Sequence, residues 1–351
     1  MQACVMRGGK LVVDEVPDPR PDSGQLLVRI LACGICGSDL HFLRHADRMV
    51  AMSEELLPSM GVMADMAVPR IDLSRDIVMG HEFCAEVLEL GPDTAGPKPG
   101  TRVVSMPALV SSTGIHQLAY NNDYPGGYAE QMLLSAPLAL TVPDDVDSAE
   151  AALTEPLAVG MHAVARSAIT PGESAVVVGC GPVGLAVVAA LRMAGVEVIV
   201  ASDFSPARRA LATALGATEV VDPDEEPVIE AWRRVDGRRT LVAFEAVGVP
   251  GTIQQLLRDL PPGSRVTVVG VCMEPDTVSP FYAIAKELSL QFVLAYNPAE
   301  FADSLRAIAE GRVELTPMIT GTVGLPGVPG AFEALGHPDE QVKILVEPLR
   351  T

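Results

Sequence analysis

Residues 176–195 read VVVGCGPVGLAVVAALRMAG, an apolar run that breaks into three spaced glycines and resumes as a helical pattern. In a strand-turn-helix context each glycine has a task. Gly179 permits a tight turn, Gly181 lets a pyrophosphate approach the backbone, and Gly184 allows the helix to pack closely on the preceding strand. With Pro182 and Val183 opening that helix, its N-terminus faces the phosphates of a dinucleotide. The next strand ends in VIVASD, placing Asp203 about 20 residues on, where a carboxylate accepts from the adenosine ribose hydroxyls. That charge repels a 2′-phosphate and favours NAD over NADP. Arg208 and Arg209 pull the other way, since an arginine near the ribose accommodates the extra phosphate. A flavin uses the same fingerprint.

The surrounding chain supports a doubly wound parallel sheet. From about residue 155, helical stretches such as EPLAVGMHAVARSA and SPARRALATALGA alternate with buried-strand patterns such as SAVVVG, VEVIVASD, TLVAFEAVG and SRVTVVGV. With 351 residues, 48% of them hydrophobic, the chain is large enough for two cores. The first 150 residues read differently. Short strands such as LLVRILAC, AEVLEL, TRVVSM and EQMLLS, broken by turns such as GPDTAGPKPG, point to a barrel-like β-rich domain. After about residue 285 the alternating pattern loosens. One helix, PAEFADSLRAIAEGRVE, and one strand, VKILVEP, remain, too little for a third core. The expected organisation is a β-rich domain over 1–152, a nucleotide-binding domain over 153–288, and a segment 289–351 that returns to complete the first.

Charge and composition remove several classes of function. Lys and Arg total 25 against 45 Asp and Glu, a net charge of -20, so no uniform basic surface exists for a nucleic-acid backbone. The N-terminus lacks an apolar leader core, and no run stays apolar for the roughly 18 residues of a membrane span, so a soluble, cytoplasmic protein is expected. Six cysteines without a dense spacing framework read as reduced thiols. A segment over about 44–76 stands apart for its methionines, Met49, Met52, Met60, Met63 and Met66. Methionine fills irregular space and lines adaptable surfaces, so this excursion either packs its own small core or walls an apolar substrate cleft.

The remaining chemistry lies in CGICGSDLH, residues 33–41, GHEFC, residues 80–84, and TEPLAVGMHA, which begins at Thr154. Two metal sites can be drawn from them. Cys33, Cys36, His81 and Cys84 would form a closed Cys₃His structural zinc site, whereas Cys36, His81 and a carboxylate from Glu82 or Glu155 would leave a position open for substrate. Spacing alone leaves both standing.

In combination and in order, GICGSDLH, GHE, TEPLAVGMHA and VVVGCGPVGL resemble the zinc-dependent medium-chain dehydrogenase/reductase superfamily, in its sorbitol- and threonine-dehydrogenase-like branch. The resemblance covers nearly the whole chain outside about 44–76. It implies a GroES-like catalytic domain built from both chain ends around a central Rossmann domain, with a catalytic zinc and NAD. Carried onto this sequence, it makes Cys36 and His81 zinc ligands with carboxylate ligation from Glu82 and Glu155, leaves Cys33 and Cys84 as inert strand residues, and puts Val247 and Gly248 at the cofactor. Asp39 would accept the free ring N–H of His81, as carboxylates behind metal-bound histidines do. Ser38 would bond the reacting oxygen, and His41 would carry the proton outward. His45, His116, His162 and His337 have no partner evident from sequence. The family's structural-zinc lobe carries four cysteines, and the corresponding stretch here, MPALVSSTGIHQLAYNNDYPGGYAEQ, has none, so one zinc per chain is expected.

The implied reaction is reversible oxidation of a primary or secondary alcohol or polyol, with zinc lowering the hydroxyl pKa and hydride passing to NAD. Two rival readings are a zinc-free NAD(P)H-dependent enone or quinone reductase of the same superfamily and a catalytically silent nucleotide-binding protein. Relatives also imply a homo-oligomer, a dimer or tetramer, with SRVTVVGV and its continuation as the associating edge.

Overall fold

A computed structural model describes residues 1–60, 71–337 and 341–350. The chain forms two compact units. One comprises Met1–Glu155, Ile319–His337 and Lys343–Thr351, and the other takes in Pro156–Met318.

The first unit is β-rich. Its larger sheet runs in the order Ala139–Thr141, Arg102–Ser105, Glu82–Leu90, Gln25–Gly34, Lys343–Val346 and Ile319–Val323, with Gln131–Ser135 also pairing with Gln25–Gly34. A smaller sheet joins Lys10–Glu15, Gln2–Arg7 and Ile77–Val78. The long strand Gln25–Gly34 organises the unit, because at its C-terminal end Gly34 stands opposite Glu82 on one side and Leu345 on the other. Two segments from the first quarter of the chain and one from its end therefore meet there. Side chains of Leu26, Val28, Ile30, Phe83, Val87, Met132 and Val346 fill the core between the sheets.

The helix Gly37–Met60 continues from that strand end and bends at His45, whose backbone leaves helical geometry at φ -133 and ψ 26. Phe42, Ala46, Met49 and Val50 share one face at helical spacing and pack against the main core of this unit. The excursion thus builds no separate core in its described part. Met63 and Met66 lie outside the described residues.

The second unit holds a six-stranded parallel sheet ordered Glu219–Val221, Val198–Ser202, Ser174–Val178, Leu241–Glu245, Arg265–Val268 and Ser289–Phe292. Central strands buried on both faces read as unbroken apolar runs, which is why AVVV and LVAF were legible as strands. Val176, Val200, Ala243, Val266 and Trp232 form its core. The strand Ser289–Phe292 pairs with Arg265–Val268, so the returning segment expected from residue 289 begins instead at Ile319. A short strand of mixed polarity at a sheet edge lacks the periodic signal that would have marked it.

Candidate metal and nucleotide sites

Cys36 follows the end of the long strand, His81 immediately precedes the neighbouring strand Glu82–Leu90, and Glu82 opens it. One ligand atom from each of Cys36, His81 and Glu82 lies within 4.8 Å of the other two. Thiolate, imidazole and carboxylate are the donors zinc accepts, so the set fits that ion. Cys33 and Cys84 fall outside it. Both are fully buried, and burial pushes their thiols upward, Cys84 to about 11. The Cys₃His site is therefore not the one the strands assemble. Glu155, buried in the first turn of the helix Thr154–Ser167, also stands outside the trio, although its charge acts on Lys343.

Lys343 is the residue that sequence reasoning missed. Its Nζ donates to Glu82 Oε2 at 2.6 Å, Glu82 Oε1 at 2.8 Å and the Ile35 carbonyl at 3.1 Å. Burial works against its charge, but Glu82, Cys36 and Glu155 outweigh that and hold the ammonium form above its ordinary range. Gly34 makes the room, because any side chain there would overlap the Glu82 carboxylate. The available signal was one lysine inside the apolar strand KILV, since a buried cation requires a partner.

Asp39 is held differently from expectation. His81 Nδ1 sits 3.6 Å from Asp39 Oδ1, an ion-pair separation beyond hydrogen-bond length, and it is buried without a hydrogen-bond partner. The donors that reach Asp39 are two tyrosines. Tyr120 Oη lies 2.7 Å from Oδ1, Tyr128 Oη lies 2.7 Å from Oδ2, and the Cys36 backbone N–H adds a third contact at 3.0 Å. Burial alone would push this carboxyl up, but His81 and the two hydroxyls bring it below its usual value. Burial likewise opposes a charged His81, yet Asp39 and Cys36 raise it well above the ordinary imidazole range. The Cys36 thiol is pushed up by burial, with Glu82 adding to the effect.

Ser38 Oγ lies 3.5 Å from His81 Nε2 and 3.1 Å from Tyr120 Oη. His41, one turn on, is half-buried, and burial lowers its pKa, assisted by His45 and Arg44. Two other histidines do have partners. His162 Nδ1 lies 2.9 Å from Glu300 Oε2, and His116 Nε2 sits 2.9 Å from the hydroxyls of both Ser111 and Thr113. Both pairings bridge turns or distant segments, which local sequence does not display.

In the second unit the glycine-rich turn connects the strand Ser174–Val178 to the helix Pro182–Met193. Gly179 adopts φ +92, and a side chain at Gly184 would overlap the Gly179 carbonyl oxygen, so both are required by the backbone. Gly181 caps the helix and Pro182 begins it, while Val183 continues the first turn. A cavity of about 550 Å³ opens there, lined by Gly179, Gly181, Pro182, Asp203, Arg208 and Val247 among others. Gly248 lies beside it at φ +72, where a side chain would strike the Val271 backbone. The Asp203 carboxylate accepts from the N–H groups of Cys180 and Ser205, each at 2.8 Å, which fixes it at the cavity wall. Arg209 is committed elsewhere, to the carbonyls of Asp203 and Phe204 and to Asp222. Arg208 faces the cavity, and its Nε is buried without a partner.

Known proteins share this architecture. Residues 22–144 match the alcohol dehydrogenase GroES-like domain, and residues 182–310 match the zinc-binding dehydrogenase family. The chain is 32% identical to (R,R)-butanediol dehydrogenase of Bacillus subtilis (strain 168) over 349 residues, covering 96% of both chains. It is 29% identical to sorbitol dehydrogenase of Gallus gallus, covering 99% of this chain and 96% of that one. A crystal structure of 2R,3R-butanediol dehydrogenase from Bacillus subtilis superposes with a TM-score of 0.80 at 28% identity, and an NADP-bound structure from Sinorhizobium meliloti 1021 with 0.83 at 28%, each covering 99% of both chains. A cysteine-histidine-glutamate cluster at the end of a GroES-like sheet, a glycine-rich turn in a Rossmann sheet, and full-length relatives together mean that the chain belongs to the zinc-dependent alcohol and polyol dehydrogenases of the medium-chain dehydrogenase/reductase superfamily.

Proposed function

We propose that the protein reversibly oxidises a secondary hydroxyl of a small diol or polyol, with NAD as hydride acceptor. The carrying observation is the Cys36, His81 and Glu82 cluster, whose three donor types suit zinc. When bound, zinc supplies Lewis-acid polarisation of the substrate hydroxyl and the nicotinamide supplies a hydride acceptor. The chain's own residues position and discharge the substrate. Cys36, His81 and a carboxylate of Glu82 or Glu155 would hold the metal, with Asp39 behind His81, while Ser38 would take the hydroxyl proton and His41 would pass it outward. Gly179, Gly181, Pro182, Val183, Gly184, Val247 and Gly248 shape the dinucleotide site. Asp203 favours NAD by its charge, with Arg208 the residue best placed to admit NADP.

The relatives named for butanediol and sorbitol support the substrate class. Six free thiols suit a cytoplasmic setting, and among the described residues no helix is long and apolar enough to cross a membrane. SRVTVVGV is not the associating edge expected from the sequence, because Arg265–Val268 is paired on both sides; the open edge is Ser289–Phe292, and it supports a homo-oligomer together with the preceding helix Pro280–Lys286, where Phe281 and Ile284 are 71% and 74% exposed.

The test is metal content by elemental mass spectrometry, combined with NAD reduction over a panel of diols and hexitols. One zinc per chain, lost in Cys36→Ser together with turnover, supports the reading. A zinc-free native protein that reduces enones with NAD(P)H would sink it.

A further inference from the structure

We propose that Glu245 is a positioning residue for the dinucleotide, its side chain holding residues 246–248 in the shape that walls the cavity. This rests on the cofactor site proposed above. Glu245 ends the strand Leu241–Glu245, which lies beside the strand Ser174–Val178 that leads into the glycine-rich turn. At 1% exposure its carboxylate needs hydrogen-bond donors in place of water. Its Oε1 accepts from the N–H groups of Val247 and Gly248, each at 2.8 Å. Burial pushes this carboxyl up, and the same two N–H groups oppose that by favouring the charged form.

Those two bonds set the direction of the turn. The peptides are trans, and a trans peptide points its C=O opposite to its N–H. With the Val247 and Gly248 N–H groups turned inward to Glu245, the carbonyls of Ala246 and Val247 turn outward. The Ala246 oxygen lies 3.0 Å from where a side chain on Gly179 would begin, and Val247 Cγ2 lies 2.8 Å from the same point. Ala246 and Val247 line the cavity together with Gly179, so the aim of this turn decides how the two loops meet there.

The backbone of Glu245 pins a further segment. Its carbonyl oxygen accepts from the N–H groups of Val269 and Gly270, each at 2.9 Å. A side chain on Gly270 would strike both the Gly248 backbone and Glu245 Oε2. One residue thus ties together the loops that follow two neighbouring strands, Leu241–Glu245 and Arg265–Val268. Asp203 has a corresponding hold on the opposite loop through the Cys180 N–H. Asp203 itself lines the cavity, whereas Glu245 stands behind the wall it shapes and acts through the turn.

The test compares native protein with Glu245→Gln, Glu245→Leu and Leu241→Ala, the last a core change at the far end of the same strand. NAD binding is measured by calorimetry and thermal melting by circular dichroism. Glu245→Gln keeps an acceptor oxygen but makes weaker, neutral bonds, and is expected to lower NAD affinity about fivefold. Glu245→Leu leaves both N–H groups without a partner and should lower it about fiftyfold. Leu241→Ala should reduce the melting temperature at least as far as Glu245→Gln, yet keep NAD affinity within about twofold. An equal loss of affinity in Leu241→Ala overturns the inference, because binding would then follow stability and not the turn. Should Glu245→Leu fail to fold, Glu245→Gln set against Leu241→Ala decides in the same way. Native protein that binds no NAD overturns the cofactor reading as well, whereas native binding that the Glu245 variants leave unchanged overturns this inference alone.

Discussion

Lys343 Nζ and Glu82 Oε2 meet at 2.6 Å with side chains 0% and 1% exposed, although 261 residues separate them. A fully buried ion pair of this kind is costly to break from one side, because the surviving charge has no solvent. Lys343→Met should destabilise the metal-free protein by about 3 kcal/mol in urea denaturation. The double variant Glu82→Gln with Lys343→Met should lose less than the two single changes together, since no charge is then stranded. Additive losses would show that the pair is not coupled.

Gly184 is set against the Gly179 carbonyl, with no room for a methyl group. Gly184→Ala should push the helix Pro182–Met193 away from its strand and destabilise the second unit by about 2 kcal/mol, an overpacking cost. NAD binding, followed by quenching of Trp232 or by calorimetry, should be lost or weakened well beyond the stability change.

Asp203 and Arg208 oppose each other at the same cavity. Asp203→Ser should lower the NAD to NADP ratio of kcat/KM by about tenfold, and Arg208→Ala should raise it. The measurement is steady-state kinetics with both cofactors. If neither ratio moves, discrimination lies with other residues.

Glu173 makes two contacts with Arg265, at 2.9 and 2.8 Å, which lower its carboxyl pKa below the ordinary 4.5. A carboxylate with a depressed folded-state pKa adds stability that is fully present above the unfolded value and disappears as pH falls through the folded value. Glu173→Gln should therefore cost about 1 kcal/mol at neutral pH and progressively less below about 4.5, giving a shallower acid limb in urea titrations. A cost that persists unchanged at low pH would assign the effect to packing.

The parts legible in the sequence were those whose chemistry is local. GCGPVG needs its glycines because the turn and the helix packing involve neighbours along the chain, and the buried strands on either side are continuous apolar runs. Cys36, His81 and Glu82 were readable as donor types, and family resemblance singled them out from the alternative with Cys33 and Cys84. The register between Gln25–Gly34 and Glu82–Leu90 then decided which side chains gather. The tyrosine clamp on Asp39 and the Lys343 counter-ion were not readable, because their partners lie 81 to 261 residues away and carry no periodic signal. Residue types and short-range spacing determined the chemistry available to this chain. Strand pairing across the whole length of the first unit, which buries charge only where partners converge, decided how that chemistry is held.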